Sequence, residues 1–270
     1  MLSVFNIETV QIAGADPDIV PALRSVVYGE IDGDYGGLFS RSNIFLYPKA
    51  SISKAVINAS KRVSSVDIYR DGRTLMIEAN EKIPVAMVCA DLPDWGDNGR
   101  LDDKNTDKCF LVDDNGFLYA RVSVIQGFSN ISDNIHDRYF IPDLSDNGAS
   151  SSEALIGTTL STTTDFQALR EFSQVARDHG IDIQAMLLRG NGEYEMYALN
   201  PASNFMSHQS TATSTVVIHV NRRNGFDNEL ANLISFWSNA VDKAKSGQAW
   251  PVWDYIDVRY GSNVFFRMVK

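Results

Sequence analysis

The stretch of residues 253–268 constrains the fold of this chain more than any other. β-branched and aromatic residues fill it on both sides of Gly261-Ser262-Asn263. This pattern predicts two short strands joined by a tight turn, or one strand with a bulge. A terminal strand at a sheet edge carries unpaired N–H and C=O groups, which favour either aggregation or the addition of a partner's strand. We expect a docking site here.

Length and charge exclude several classes of protein. The chain has 270 residues, which is room for one large domain or two modest ones. Its net charge of −10 argues against general affinity for nucleic acid or anionic lipid, because both require basic patches. No stretch is apolar for long enough to cross a bilayer, and no secretory signal is recognisable. We expect a soluble region whose targeting segment, if it has one, is missing from this sequence.

The two cysteines, Cys89 and Cys109, fall on neighbouring predicted strands. A cross-strand disulfide is geometrically feasible if the register brings their Cα atoms within about 7 Å. Two half-buried free thiols are the alternative, and the one that a cytosolic location favours. Two cysteines are too few for a structural zinc site, and the histidines show no ligand spacing. We therefore predict no metal and no cofactor.

The first eighty residues predict a compact α+β unit. A strand over residues 5–13 is followed by a helix that we expect Asp16 to cap, with Pro17 in its first turn. A second amphipathic helix covers residues 52–59. Two alternating runs, residues 66–70 and 75–79, then flank Asp71-Gly72 and predict a hairpin. The order strand, helix, helix, strand, strand indicates a small sheet with two helices on one face.

The rest of the chain predicts a larger mixed α+β domain with an extended sheet. Helices are expected over residues 164–179 and 226–244, each with an apolar stripe and a following glycine. Strands are expected on either side of both helices, at residues 85–90, 109–113, 117–121, 139–144, 183–188, 194–199 and 215–220.

No catalytic motif is present in the sequence. It lacks a phosphate-binding loop, and H-E-x-x-H, G-x-S-x-G and C-x-x-C are absent. The segment 91–107 offers five aspartates as calcium ligands, but its spacing departs from the calcium-binding loop of helix-flanked sites. Asp113 and Asp114 precede a tight turn, where aspartate is common for local reasons, and His219 lies on an apolar strand. We predict that the protein is no enzyme.

Five segments, in this order and spacing, resemble the FtsQ/DivIB family of bacterial division proteins. They are Val10-Gln11-Ile12-Ala13-Gly14, then Ser65 to Arg70 with Thr74 to Glu78, then Glu81 to Ala86, then Phe110 to Tyr119, and last Tyr255 to Tyr260. The resemblance covers nearly the whole chain. It implies a POTRA domain over residues 1–82 and the family's β-domain over residues 83–270. The chain departs from the family at Val220-Asn221, where Leu-Gly is usual, and in two inserts, residues 91–107 and 200–214.

The resemblance implies a single-pass protein of the cell membrane at the division site. Its anchor would precede this region, which would lie on the extracytoplasmic side, where a Cys89–Cys109 disulfide is favoured. Members of the family hold the division complex (the divisome) together without catalysis. They bind the FtsB/FtsL pair through the C-terminal part of the β-domain, where a strand of FtsB extends the sheet.

Partner-binding residues can be carried over by motif. The resemblance assigns this role to Arg259, Tyr260 and Ser262, and more loosely to Arg189. Phe265 is our own addition, as an aromatic anchor on the same segment. We expect changes at Arg259 or Tyr260 to weaken partner binding without lowering the melting temperature.

Two other functions predict different features. A POTRA protein of outer-membrane assembly or secretion would normally show tandem POTRA units or a barrel of alternating strands. A hydrolase or calcium-dependent enzyme using the acidic loop would show metal-dependent melting and carboxylates with displaced pKa values. The sequence favours the division scaffold over both.

Overall fold

The computed structural model divides the chain into two compact units, Met1–Ile83 and Pro84–Lys270. The sequence predicts the boundary one residue earlier. The described residues are 5–90, 92–93, 95, 106, 108–125, 135, 137–141, 155–160, 163–190, 192–201, 215–223 and 225–269. Both units mix helices and strands, which confirms the predicted α+β class.

The first unit contains a three-stranded sheet and two helices. Its elements are β1 (Thr9–Ala13), α1 (Val20–Ile31), β2 (Asp34–Tyr35), β3 (Phe39–Ser40), α2 (Lys49–Ala59), β4 (Val63–Asp71) and β5 (Thr74–Glu81). The sheet has the order β1-β5-β4, with β1 parallel and β4 antiparallel to β5. The hairpin predicted around Gly72 therefore forms, and β2 and β3 make a separate two-stranded ribbon.

Apolar periodicity builds the core of this unit. Leu23 and Val27 of α1 and Ile52 and Val56 of α2 are fully buried against the sheet. These positions recur every three or four residues, so each helix presents a single stripe. The stripe was predictable, because it depends only on spacing within one element.

The predicted helix cap at Asp16 is wrong. The helix begins at Val20, and its N-terminal residue receives no side-chain cap. Asp16 instead binds the buried guanidinium of Arg62, which also binds Asp18 at 2.7 Å and Glu81 at 2.9 Å. Burial opposes the charge on Arg62, but the three carboxylates outweigh burial and raise its pKa. A contact between residues 46 positions apart has replaced the local cap.

The second unit contains nine strands and two long helices within the described part of the chain. The strands are β6 (Ala86–Cys89), β7 (Cys109–Val112), β8 (Leu118–Arg121), β9 (Asp137–Phe140), β10 (Ile183–Gly190), β11 (Glu193–Leu199), β12 (Thr215–Asn221), β13 (Trp253–Tyr260) and β14 (Asn263–Met268). The helices are α3 (Thr163–Asp178) and α4 (Phe226–Lys245). The predicted strand over residues 139–144 starts earlier, at Asp137, whose buried carboxylate binds Ser173 and Arg177.

All nine strands form one mixed sheet in the order β14-β13-β12-β11-β10-β9-β6-β7-β8. Both helices pack on one face, where Phe166, Phe172, Leu233 and Trp237 meet the apolar strand residues. Among the described residues, the other face has its own core only over the five strands from β10 to β8. Towards β14 this second face carries polar and aromatic side chains.

A disulfide joins Cys89 to Cys109. The two residues lie directly opposite each other on β6 and β7, with their Cα atoms 4.1 Å apart. Of the two alternatives that the sequence left open, the structure therefore has the cross-strand disulfide. Both sulfur atoms lie in the core of the second sheet face.

Two sequence-based interpretations concern residues outside the described part. The five candidate calcium ligands of the acidic segment, Asp94, Asp97, Asp102, Asp103 and Asp107, are among them, and so is nearly all of the insert over residues 200–214. Only Asn200 and Pro201 of that insert are described.

Candidate partner-binding site

The two edges of the nine-stranded sheet differ in how they are covered. At one edge, the backbone N–H of Leu118 in β8 donates to Thr158, and Gly157 donates back to Leu118, at 2.9 and 2.8 Å. The segment 155–160 therefore pairs with the first residue of β8. At the other edge, β14 pairs with β13, and within the described residues no other strand pairs with it. The edge formed by residues 263–268 is called the open edge below.

Strand alternation shows which backbone groups of β14 point away from β13. The N–H of Val269 donates to the carbonyl of Val252 at 3.0 Å, so residue 269 faces inwards. N–H and C=O groups alternate sides along a strand. Met268, Phe266 and Val264 therefore direct their backbone groups outwards, whereas Arg267 and Phe265 direct theirs towards β13. Asn263, opposite Tyr260 at the two-residue turn, faces inwards, as the same alternation requires.

Contacts from other elements hold the terminal hairpin in place. The buried side chain of Asn200 bonds to both backbone groups of Trp253, at the start of β13. At the other end of the hairpin, Asn232 of α4 donates to the carbonyl of Gly261 at 2.5 Å. Gly261 has φ 66°, which a glycine adopts without strain. The β13–β14 hairpin is therefore fixed at both ends before any partner arrives.

Four of the predicted residues lie together on this hairpin. Tyr260 is 57% exposed and Phe265 is 52% exposed, and their rings meet edge to face with centroids 5.3 Å apart. The Arg259 guanidinium lies 5.9 Å from the centre of the Tyr260 ring. Ser262 is exposed in the turn. The hairpin thus presents an aromatic pair beside a row of outward backbone groups.

Arg259 is bound within the protein. Its Nε and Nη2 donate to the two carboxylate oxygens of Asp257 at 2.9 and 2.7 Å, and its Nη1 lies 3.7 Å from Glu193. The hydrogen bonds to Asp257 raise the pKa of Arg259. Burial would raise the pKa of the Asp257 carboxyl, but the hydrogen bonds from Arg259 outweigh it and keep that pKa below its ordinary value. Arg259 therefore has a structural role, and its role in partner binding stays a prediction.

Arg189 is not part of this cluster. It lies on β10, and three strands separate β10 from β14. Its Nη2 donates to Glu195 at 2.9 Å. Adjacent strands lie about 4.8 Å apart, so Arg189 is about 19 Å from the open edge along the sheet. A partner that touches both must extend across the sheet face.

A row of polar side chains runs across the sheet from β11 to β13, between Arg189 and the open edge. Glu195, His219 and Asp257 lie opposite one another on adjacent strands. The imidazole of His219 is 3.9 Å from the Glu195 carboxylate. Burial and the neighbouring Glu195 raise the pKa of Tyr197 to about 12. Burial would raise the pKa of Glu195 too, but hydrogen bonds from Arg189 lower it overall. The row is a set of polar side chains that pair within the protein and make this face polar.

Sequence reasoning missed two exposed apolar residues of the open edge. Phe266 is 50% exposed and Met268 is 45% exposed. The Phe266 ring packs on Phe236 of α4 with centroids 5.1 Å apart, so one side of the ring remains free. Alternation along β14 was the signal that could have found them, because residues 264, 266 and 268 share a face.

The described residues, which do not include the five candidate calcium ligands of the acidic segment, contain no group of three or more His, Cys, Asp or Glu side chains that could hold a metal ion. No helix in the described part of the chain is long and apolar enough to span a membrane.

These features define a class of protein: two α+β units, the second with a nine-stranded sheet that ends in a strand on whose outer side no described strand pairs. No family model matches the chain, and no curated protein is significantly similar to it.

Proposed function

We propose that this protein is a non-catalytic scaffold of bacterial cell division, of the FtsQ/DivIB type. Its open edge would accept a strand from an FtsB-like partner, itself paired with an FtsL-like protein. The observation that carries the proposal is the difference between the two sheet edges: within the described residues, the segment 155–160 pairs with the start of β8, whereas no strand pairs with the outer side of β14. Natural proteins usually protect a flat apolar sheet edge against pairing with other chains. An edge that is left open therefore argues that a partner's strand pairs with it.

The chemistry of the open edge fits a strand as ligand. Outward N–H and C=O groups at Val264, Phe266 and Met268 would provide main-chain hydrogen bonds, which supply affinity without sequence selection. The exposed rings of Tyr260, Phe265 and Phe266 would provide anchors, since aromatic residues dominate interface energetics. Side chains beside the added strand would then set specificity.

Two further features support the family resemblance. Apart from the β2–β3 ribbon between its helices, the first unit has the strand-helix-helix-strand-strand order expected of a POTRA domain, with a small sheet and both helices on one face. The Cys89–Cys109 disulfide fits an oxidising extracytoplasmic location, because disulfides rarely persist in the cytosol. We therefore propose that this region lies outside the cytoplasm, at the division site, behind a single membrane anchor.

Calorimetric titration tests this function. The 270-residue chain would be titrated with the extracytoplasmic part of the FtsB-like protein of the same organism, alone and paired with the FtsL-like protein. We expect saturable binding that a deletion of residues 262–270 abolishes, with circular dichroism showing that the shortened chain still folds. If the intact folded chain does not bind, the division-scaffold function is wrong, and a POTRA protein of outer-membrane assembly becomes the better proposal.

A further inference from the structure

The open edge lacks the features that normally keep a sheet edge from pairing with another chain. Those features are charged side chains, proline and β-bulges. β14 contains no proline, and at both irregularities in its pairing with β13 the extra residue belongs to β13. Its one charged residue, Arg267, is bound to Asp254 within the protein. The backbone groups of the open edge are therefore left without these protections.

An outer strand of the other sheet shows the contrast. β4, at one edge of the three-stranded sheet, carries Asp67, Arg70 and Asp71. It also has a bulge between Val63 and Ser65, where β4 has one residue more than β5. Both features oppose pairing with another chain. Since β4 has these protections and β14 lacks them, the open edge is the one suited to pairing.

Exposed apolar side chains gather on the same hairpin. In the described part of the second unit, six large apolar residues are exposed, and four of them lie on β13 and β14: Tyr260, Phe265, Phe266 and Met268. Apolar groups exposed together in this way mark an interaction site. An occupant of the open edge must therefore cover aromatic rings as well as satisfy backbone groups.

The alternation of β14 permits an antiparallel pairing of this strand with its own copy. Because Val264, Phe266 and Met268 direct their backbone groups outwards, these three residues form the hydrogen-bonded pairs with any added strand. A two-fold axis at Phe266 sets Phe266 opposite itself and Val264 opposite Met268, so that all three are paired. An axis at Val264 or at Met268 would instead set outward residues against residues outside β14. The axis at Phe266 therefore gives the most complete ladder.

The side chains at this register are compatible on both faces of the sheet. On the helix face, where Phe266 packs on Phe236, Phe266 meets Phe266 of the second copy and Val264 meets Met268. On the other face, Phe265 lies opposite Arg267 of the second copy, a pair that permits a cation–π contact. Like charges do not meet across the axis, because Arg267 faces an aromatic ring and not its own copy.

We propose that the open edge pairs with the open edge of a second copy of this chain, antiparallel and centred on Phe266. Such an interface is isologous, so it closes as a dimer and builds no fibre. Contact along one strand edge is small, so the dimer belongs among the weak interfaces, those below about 1,200 Å². The second copy and a partner's strand use the same backbone groups, so each excludes the other. This exclusion rests on the proposed function, whereas the dimer does not.

Sedimentation velocity of the 270-residue chain, from micromolar to near-millimolar concentration, tests the dimer. We expect an equilibrium of monomer and dimer with no larger species. Phe266→Lys and Phe266→Glu should each raise the dissociation constant at least about tenfold, because position 266 meets itself and like charges directly opposite destabilise a strand pair. An equal mixture of the two variants should associate again, since lysine then faces glutamate. This recovery is specific for the register centred on Phe266.

Two further variants complete the test. Val264→Pro removes an outward donor without breaking the ladder to β13, so it should also prevent dimerisation, and it replaces the position-266 variants if thermal melting shows that they do not fold. Tyr69→Lys, at a half-exposed aromatic residue on β4, is the matched control and should dimerise like the native chain. A native chain that stays monomeric throughout overturns the inference. Dimerisation that folded position-266 variants retain, or that their mixture does not restore, also overturns it.

Addition of the FtsB-like partner separates this inference from the proposed function. We expect the partner to convert the dimer into complexes with one copy of the chain, with an apparent affinity that falls as the chain is concentrated. Dimerisation without partner binding would support the dimer and contradict the division-scaffold function. Partner binding by a chain that never dimerises would overturn the dimer alone. A partner that binds the intact dimer would overturn the shared use of the open edge.

Discussion

Asn200 binds both backbone groups of Trp253. Its Nδ2 donates to the Trp253 carbonyl at 2.9 Å, and its Oδ1 accepts from the Trp253 N–H at 2.8 Å. Asn200 is 1% exposed and Trp253 is 1% exposed, so water does not compete for these bonds. One amide side chain therefore sets where β13 begins, and with it the position of the open edge.

Asn200→Ala should destabilise the second unit. It would leave the buried N–H and C=O of Trp253 without these partners, and each such group costs about 1–3 kcal/mol. We expect the free energy of unfolding, measured with urea, to fall by about 3 kcal/mol. The control is Asn232→Ala, which removes one solvent-exposed bond to Gly261 and should cost less than about 1 kcal/mol. If both substitutions lowered the free energy of unfolding equally, Asn200 would contribute no more to stability than a residue with an exposed hydrogen bond.

Tyr260→Ala should weaken partner binding without affecting stability. The ring is more than half exposed, so its removal opens no cavity, and truncation of a central interface tyrosine costs about 2 kcal/mol of binding. Titration would measure the affinity, and thermal melting would measure the stability. Tyr69→Ala, at 49% exposure on β4, is the control and should leave the affinity unchanged. A sharp fall in the melting temperature of Tyr260→Ala would make Tyr260 a structural residue instead.

The structure gives a different expectation for Arg259→Glu than the sequence does. The resemblance assigns Arg259 to partner binding, so the sequence predicts that Arg259→Glu weakens binding without lowering the melting temperature. In the structure its guanidinium is bound to Asp257 and lies near Glu193. A glutamate at position 259 would face two carboxylates, which would lower the stability of the fold. With this substitution, a loss of binding could not be separated from a loss of stability. Tyr260 is the better test of the interface.

Val264→Pro should abolish strand addition while preserving the hairpin. The N–H of Val264 points away from β13, so proline removes no bond of the existing ladder, and edge strands tolerate proline at such positions. Proline does remove the backbone N–H that would donate to the incoming strand, and it places its own ring against that strand. We expect at least about tenfold weaker binding, which is about 1.4 kcal/mol.

The control for this change is Val264→Ala, which alters the side chain and keeps the backbone donor. It should bind within a few-fold of the native chain. If the alanine variant loses as much affinity as the proline variant, the side chain is responsible and main-chain pairing is not.

Acid should destabilise the second unit through Asp257. Hydrogen bonds from Arg259 keep the pKa of this carboxyl below its ordinary value despite burial. A group with a depressed pKa in the folded state stabilises the fold above its unfolded pKa, near 4, and loses that contribution as the pH falls through its folded pKa. Asp257→Asn should therefore show a smaller fall in melting temperature below about pH 4 than the native chain. Asp178→Asn, at an exposed position ending α3, should keep the native slope.

Local pattern predicted some of the site, and long-range contacts decided the rest. The β13–β14 hairpin was predictable from β-branched and aromatic runs around Gly261-Ser262, because such a turn forms within one short segment. The order of the nine strands was not, since β12 pairs with β13 in parallel across the whole of α4. Asn200 and Trp253 are 53 residues apart, and nothing in the sequence near either one indicates the other.

The difference between local patterns and long-range contacts also explains why the predictions for Arg189 and Asp16 failed to place these residues. Motif similarity assigned Arg189 to the site, but its distance from β14 depends on the strand order, which periodicity does not contain. Asp16 had the right local sequence for a helix cap, and a buried arginine 46 residues away bound it instead. The apolar stripes of the helices and the hairpins depend on spacing within a short segment and were predicted correctly, whereas the contacts of Asp16 and the place of Arg189 depend on distant residues.

Residue-resolved amide hydrogen exchange, with and without the FtsB-like partner, tests strand addition at the open edge most directly. We predict that the partner slows exchange at Val264, Phe266 and Met268, whose N–H groups point outwards, and changes Phe265 and Arg267 little, because they already face β13. Uniform protection along β14, or protection confined to other strands, would contradict the account.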